Sequence, residues 1–133
     1  MKFALGKLTI LVFTAPEHTE HGRFALEVAK AAVGKGHEVT IFGLADGVFH
    51  AASFLEDVKH ADIKPLTREL AEFMEKTRDP ATGESPLKLG VCSRSSEERN
   101  LDQEDLIPGA VISSTSKFGA LVYDSDRTLF LIP

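Results

Sequence analysis

The chain has 133 residues, of which 43% are hydrophobic and 26% are charged, and its formal net charge is -5. These values are typical of a soluble globular protein of one domain, and the acidic balance disfavours a nucleic-acid partner. No apolar run approaches the roughly 20 residues of a membrane span, and the first residues lack the long apolar region of a signal peptide. The single cysteine cannot form an intramolecular disulfide, which favours a reducing cytoplasm.

Two strands and a helix are predicted in the first third of the chain. The run 8–13 is short, apolar and rich in strand formers, as in a strand that is covered on both faces. Polar residues at three- and four-residue spacings predict a helix over 20–33, with Thr19 as its N-cap candidate. The buried side of this helix is assigned to four apolar residues: Phe24, Val28, Ala31 and Ala32. Two glycines then favour its end, and a second strand is predicted over 38–44.

The middle of the chain predicts a packed segment, a helix and a third strand. Residues 48–61 include several large apolar side chains, so we expect them to pack in part as a short helix, with His60 at the surface. Pro65 suits the first turn of a helix with one apolar face. The run Leu87 to Cys92 predicts the third strand, and a short helix is expected to follow it as far as about Asn100.

The last third of the chain predicts two more strands around a helix. Residues 102–108 are acidic and are expected at the surface, while 110–112 form a weak strand. A helix is predicted over 115–123 and a final strand over 128–132. Because strands and helices alternate about five times, crossover connections are required. The sequence therefore predicts an α/β fold in which a mainly parallel sheet of about five strands is covered on both faces.

Cys92 is the candidate nucleophile, because it ends the third strand where a helix is expected to begin. Reactive groups gather at the carboxyl ends of parallel strands, and a helix start beside a thiol favours the thiolate. The polar residues Ser93, Arg94 and Ser95 follow at once, and Ser95 with Glu98 fits a capping box. A lone cysteine in an apolar run is also often a small buried hydrophobe, and that alternative stays open.

Other reactions that α/β proteins catalyse lack their motifs in this chain. The loop after the first strand has no glycine-rich phosphate cradle, and no Gly-x-Ser-x-Gly elbow is present. A cysteine phosphatase would place an arginine six positions after Cys92, where this chain has Glu98. A metal site at His18 and His21, with His50 nearby, competes with the simpler interpretation of solvated histidines. Neither a metal nor a cofactor is assigned.

Several short motifs, in their order and spacing, resemble one known family over most of the chain. They are Thr14-Ala15-Pro16, Gly36-His37-Glu38, the run 42–48, Leu89-Gly90-Val91-Cys92, Gly119-Ala120-Leu121 and Asp126-Arg127. In these motifs the chain is similar to the DsrE/DsrF-like sulfur-relay proteins, which include the TusD-type persulfide carriers. The polar segment after Cys92 departs from the alanine-rich segment of the relay proteins.

This resemblance implies a single three-layer α/β/α domain over residues 1–133 that assembles into trimers or hexamers, or into hetero-oligomers with paralogues. It also implies that Cys92 accepts sulfane sulfur as a persulfide from a donor protein and passes it to an acceptor protein. No cofactor, nucleic acid or membrane takes part. Pro16, His18 and His21, at the end of the neighbouring first strand, are expected to line the same edge. The alternative is a non-catalytic oligomeric module that binds a small ligand or a metal.

Overall fold

The computed structural model describes residues 6–58 and 63–132, and the predicted strands and helices are present in it. The helices and strands are β1 (Lys7–Val12), α1 (His21–Gly34), β2 (Glu38–Gly43), α2 (Leu66–Thr77), β3 (Leu87–Cys92), α3 (Ser93–Glu98), β4 (Val111–Ser113), α4 (Thr115–Asp124) and β5 (Arg127–Leu131). The expected short helix after β2 is formed by two 3-10 helices, Ala45–Ala51 and Ser53–Asp57. The end of that predicted segment, with His60, lies outside the described residues. None of the described helices is long and apolar enough to cross a bilayer.

The described strands form one five-stranded sheet, in the order β4-β3-β2-β1-β5, and every pairing is parallel. The predicted α/β class and parallel sheet are therefore confirmed. From β1 to β4, each strand pairs with the next strand in the sequence. Because the crossover connections are right-handed, α1, α2 and α3 all lie on one side of the sheet. The return from β4 to β5 runs the opposite way and places α4 on the other side. We call these the first face and the second face.

Alternation along the strands divides the core between the two faces. On β1, Ile10 and Val12 join the large core cluster beneath α1 and α2. Leu11 points the other way and forms a small cluster with Phe42 and Cys92 on the second face. The first face therefore contains most of the core, and among the described elements α4 alone covers the second face. None of the residues of α4 is fully buried.

The buried side of α1 differs from the predicted one. The fully buried residues are Gly22, Ala25, Leu26 and Ala29, whereas Phe24 is 54% exposed and Ala31 is exposed. Small residues on this side allow a close approach: a Cβ at position 22 would lie 2.2 Å from Nε2 of His50. The expected cap is also different, because Glu20 is the N-cap residue and the Thr19 hydroxyl instead accepts a hydrogen bond from the His21 amide.

The turn after β2 crosses directly over the end of β1. A Cβ on Gly47 would lie 1.9 Å from the carbonyl oxygen of Val12, so only glycine fits there. Leu44 donates its amide to the same carbonyl at 3.0 Å. Ala45 then adopts a left-handed conformation, with φ of 51°, and donates its amide to the hydroxyl of Ser95 at 2.9 Å. This crossing fixes α3 against the carboxyl end of β2.

The acidic segment 102–108 is less exposed than its composition predicts. Leu106 and Ile107 are buried, and the amide of Ile107 donates to the carbonyl of Ala51 at 2.8 Å. These two apolar side chains complete the large core cluster, while the acidic residues around them stay near water. The expectation of a surface segment was therefore wrong for its two large apolar residues.

Candidate functional site

Cys92 is the last residue of β3, and α3 begins at the next residue. The sequence predicted this boundary. The backbone of Cys92 is extended, with φ of -66° and ψ of 128°, and Cys92 occupies the N-cap position of α3. In the sheet β3 lies between β2 and β4, and Cys92 is paired with Ser113. The thiol therefore lies at the carboxyl edge of a parallel sheet, where reactive groups of α/β proteins are usually found.

The environment of Cys92 is apolar and nearly closed. The residue is 9% exposed and packs in the second-face cluster, against which Phe118 of α4 is placed. Phe118 also stacks on Phe42, with ring centroids 4.6 Å apart and an interplanar angle of 14°. Sequence reasoning missed this cover, because nothing near Phe118 in the sequence signals that its helix folds back over β2 and β3. We therefore expect Phe118 of α4 to restrict the access of reagents to the thiol.

The three polar residues that follow Cys92 make contacts of their own. The hydroxyl of Ser95 accepts the Ala45 amide, so it is already engaged. The side chain of Arg94 is 83% exposed and approaches Glu98 at 3.7 Å, while Ser93 is half-buried in the first turn of α3. The predicted capping box is absent, because α3 begins two residues before Ser95 and carries no side-chain cap.

Pro16 and His18 lie in the loop between β1 and α1, which is held by its own hydroxyl groups. Thr14 and Thr19 share a hydrogen bond of 2.8 Å, and Nδ1 of His21 lies 3.5 Å from the Thr14 hydroxyl. Pro16 and His18 line a polar cavity of about 620 Å³ with residues of α1 and of the segment before α2. Cys92 is not among the residues of that cavity. The cavity lies beside the helices of the first face, whereas the thiol faces α4.

Arg23, which lines this polar cavity, belongs to an ion-pair network. The guanidinium of Arg23 contacts both carboxylate oxygens of Glu69, at 3.0 and 2.5 Å, and joins α1 to α2. This hydrogen-bonded pair lowers the pKa of Glu69 and raises that of Arg23, and in both cases partial burial opposes the shift. Lys30 approaches the same carboxylate at 3.9 Å. The pair is therefore a structural link whose arginine also borders the cavity.

His50 is a buried histidine to which the sequence alone gave no clear role. It is 1% exposed, its Nδ1 lies 3.0 Å from the carbonyl oxygen of Gly47, and its Nε2 has no hydrogen-bond partner among residues 6–58 and 63–132. Burial lowers its pKa from 6.5 to about 4, despite the opposing effect of the bond to Gly47. Within the described residues, no group of three histidine, cysteine or acidic side chains is arranged to hold a metal ion. His18, His21 and His50 therefore do not form a common metal site.

These features define a class: a parallel α/β/α protein with one cysteine at the carboxyl edge of its sheet. The family model described as the DsrE/DsrF-like family matches residues 6–131, and the chain belongs to this family. The resemblance in the short sequence motifs is thereby confirmed.

Two archaeal relatives and one solved structure are similar to the chain. The uncharacterized protein MJ0989 of Methanocaldococcus jannaschii is 29% identical over 123 residues, which cover 92% of this chain and 97% of the relative. The uncharacterized protein MK0008 of Methanopyrus kandleri is 28% identical, with 92% of each chain covered. The crystal structure of the ychN protein from E. coli superposes with a TM-score of 0.74 at 16% identity, covering 96% of this chain and all of that one. This last similarity shows the fold.

Proposed function

We propose that the protein is a sulfur carrier that holds sulfane sulfur as a persulfide on Cys92 and passes it to a partner protein. The family is associated with sulfur relay in general. The observation that carries the proposal is the position of the single cysteine, which ends β3 at the carboxyl edge of the sheet and directly precedes a helix. We propose that the residues 1–133 act as one domain in the cytoplasm, where a free thiol stays reduced.

The chemistry requires two thiol–persulfide exchanges and no cofactor. The Cys92 thiolate attacks the outer sulfur of a donor persulfide, so that a new S–S bond forms and the donor leaves as a thiolate. An acceptor thiolate then attacks the terminal sulfur of the Cys92 persulfide. The acceptor takes that sulfur as its own persulfide, and Cys92 leaves as a thiolate. The sulfane sulfur keeps its oxidation state throughout. Each step exchanges one S–S bond for another, so no external oxidant or reductant is needed.

We assign the other residues of the proposed site to contacts with the donor and acceptor proteins. The chain has one cysteine and therefore no resolving thiol, so the acceptor must be another molecule. Arg94 and His18 are exposed, and we assign them to contacts with the donor or acceptor protein. Ser93, Ser95, Pro16 and His21 are assigned to shaping the edge from which the partner approaches. The apolar cover over Cys92 protects a bound persulfide from water until a partner displaces it.

Persulfide loading tests this function directly. The protein is incubated with a cysteine desulfurase and cysteine, and its intact mass is measured before and after treatment with a reducing agent. One added sulfur that disappears on reduction is expected, and Cys92→Ser should gain none. If a known carrier is loaded under the same conditions while this protein stays unmodified, the proposal is wrong.

A second function is a non-catalytic oligomeric module, and the burial of Cys92 among apolar side chains favours it. Under this alternative the thiol is a packing residue. Cys92→Ala would then keep the oligomeric state and every activity of the protein, whereas a carrier would lose all sulfur transfer. Transfer of labelled sulfur from the loaded protein to a second thiol protein separates the two functions.

A further inference from the structure

A groove on the second face has the features of a ligand site to which the proposed function gives no role. Its volume is about 520 Å³, within the range of small-molecule sites in proteins. It lies between β3 and β4 on one side and α4 on the other, and extends to the loop that precedes β3. Cys92 does not line it, although two lining residues are near its cluster: Phe42 belongs to the second-face cluster with Cys92, and Phe118 packs against that cluster.

The floor of the groove is apolar and open to water. Phe118 of α4, half-buried and stacked on the buried ring of Phe42, lines it together with Leu121 and Val111. Val111 is 53% exposed. Gly90 leaves room above the rings, because a Cβ there would lie 2.9 Å from Cδ1 of Phe42. Covering such a surface with a ligand is favourable by the hydrophobic effect.

The rim of the groove is basic, although the whole chain has a net charge of -5. Arg78, Lys88 and Lys117 line it together with one carboxylate, that of Glu84. Glu84 lies 3.8 Å from Lys88, and both side chains are more than half exposed, so the pair is weak. Arg78 is held at 3.2 Å by Glu75, which is not a lining residue. Among the described residues, Lys117 makes no ion pair.

We propose that this groove binds a small organic anion with an apolar body. The apolar body covers Phe118, Leu121 and Val111, and the anionic group lies between Lys117 and Lys88. Lysine side chains act as point charges, so they recognise the negative charge of a carboxylate or a sulfonate without selecting a planar geometry. The inference does not depend on sulfur transfer, since no atom of Cys92 enters it.

Competition with a fluorescent apolar anion tests the ligand class. The full-length protein is titrated with anilinonaphthalenesulfonate, and decanoate, decanol or acetate is then added as competitor. Decanoate should displace the probe about tenfold better than decanol, which lacks the charge, and by a much larger factor than acetate, which lacks the apolar body. Equal displacement by decanol and decanoate would overturn the proposal, and so would the absence of a displaceable probe.

Variants locate the site. Lys117→Gln should weaken decanoate binding about threefold at low salt, as expected for one exposed charge pair, while Lys35→Gln at the end of α1 should leave it unchanged. Val111→Trp fills the groove from an exposed position and should abolish binding. Binding that survives Val111→Trp contradicts the assignment. If instead the wild type does not bind the probe and Val111→Trp dissociates an oligomer, then a second copy covers the groove and the proposal is wrong.

Discussion

At the scale of single residues, Cys92 combines a position that suits a nucleophile with surroundings that restrict access to it. The end of a parallel strand offers backbone and helix-start polarity, but the side chain points to the apolar second face and is 9% exposed. Phe118 is the part of the cover that comes from α4. A buried thiol reacts slowly, so the rate at which Cys92 reacts reports how often this cover opens.

Removing the Phe118 ring should therefore expose the thiol. Phe118→Ala is expected to raise the rate of reaction of Cys92 with dithionitrobenzoate by about tenfold, because a barrier of about 1.4 kcal/mol to opening is removed. Phe24→Ala is the matched control, since it deletes an exposed ring on the other side of the sheet. Circular dichroism checks that both variants fold. Equal rates in the wild type and Phe118→Ala would show that α4 does not limit access.

Burial of His50 should make the protein less stable in mild acid. Its folded pKa of about 4 is below the ordinary 6.5, so between these values the unfolded chain binds a proton that the folded chain does not. The free energy of unfolding should fall as the pH drops through this window, by up to about 3 kcal/mol, and His50 contributes no slope above it. Urea unfolding across this pH range measures the effect.

His50→Leu is the control for this prediction, because it keeps a similar volume without a titrating group. The variant should show a flatter pH dependence than the wild type, and the difference between the two slopes isolates His50 from the carboxylates. If the free energy of unfolding changes equally with pH in the wild type and in His50→Leu, then the unfolded state, or a water bound to Nε2, offsets the effect of burial on the pKa of His50.

At the scale of elements, the sequence predicted where strands and helices lie better than it predicted their faces. The run Leu87–Cys92 agrees with β3 at both ends, because an apolar strand bounded by Pro86 and a polar helix start leaves little choice. The face of α1 was predicted in part: Val28 and Ala32 pack against the core, whereas Phe24 and Ala31 are exposed, because the apolar residues of α1 lie on two sides and the side with Gly22 packs against His50. Only the packed structure contains that information.

The same holds for the candidate site, where the position of the cysteine was easier to predict than its packing. The strand-to-helix boundary at Cys92 was predictable from local sequence, whereas the cover by Phe118 depends on the return of the chain from β4 to β5 across the sheet. The loop with Pro16 and His18 was expected beside the thiol because β1 and β3 end at the same edge. That proximity stays a prediction: the cavity beside this loop is bordered by α1 and the segment before α2, on the first face.

The link between α1 and α2 gives a prediction at this scale. Glu69→Gln should lower the free energy of unfolding by about 1 kcal/mol near neutral pH, because it weakens a bidentate pair whose carboxylate side chain is only 20% exposed. Glu72→Gln is the matched control. It removes a single contact of 2.7 Å to Lys64 in which both side chains are 52% exposed, so we expect at most a few tenths of a kcal/mol.

This link and His50 both make the protein less stable in acid, but for different reasons. The folded state favours the charged form of Glu69 and the neutral form of His50. Because Arg23 holds the pKa of Glu69 below its ordinary value, the stabilisation is complete above that ordinary value and is lost as the pH falls through the folded pKa. The difference in stability between the wild type and Glu69→Gln, measured by urea unfolding, should therefore shrink in acid. A difference that stays constant with pH would contradict an ionic role.

At the scale of the whole molecule, the second face is the incomplete side of the fold. In the part of the chain that the structure describes, the first face has three helices and most of the core, while α4 is the one helix on the second face and buries none of its own residues. On the edge strand β5, alternation with Leu129 and Leu131 directs Phe130 to the second face, where it is 59% exposed. Ile132 is 58% exposed beside it. We propose that a second copy of the chain covers this edge, on the far side of α4 from the basic groove.

The oligomer should therefore depend on Phe130 and not on an equally exposed ring elsewhere. Native mass spectrometry of the wild type is expected to show an assembly larger than a monomer, and Phe130→Asp should shift it toward the monomer because a charge would be buried without a partner. Phe54→Asp, at a ring that is also 59% exposed, should leave the assembly unchanged. If the wild type is a monomer at every concentration tested, or if both variants dissociate it equally, then the β5 edge is not the interface.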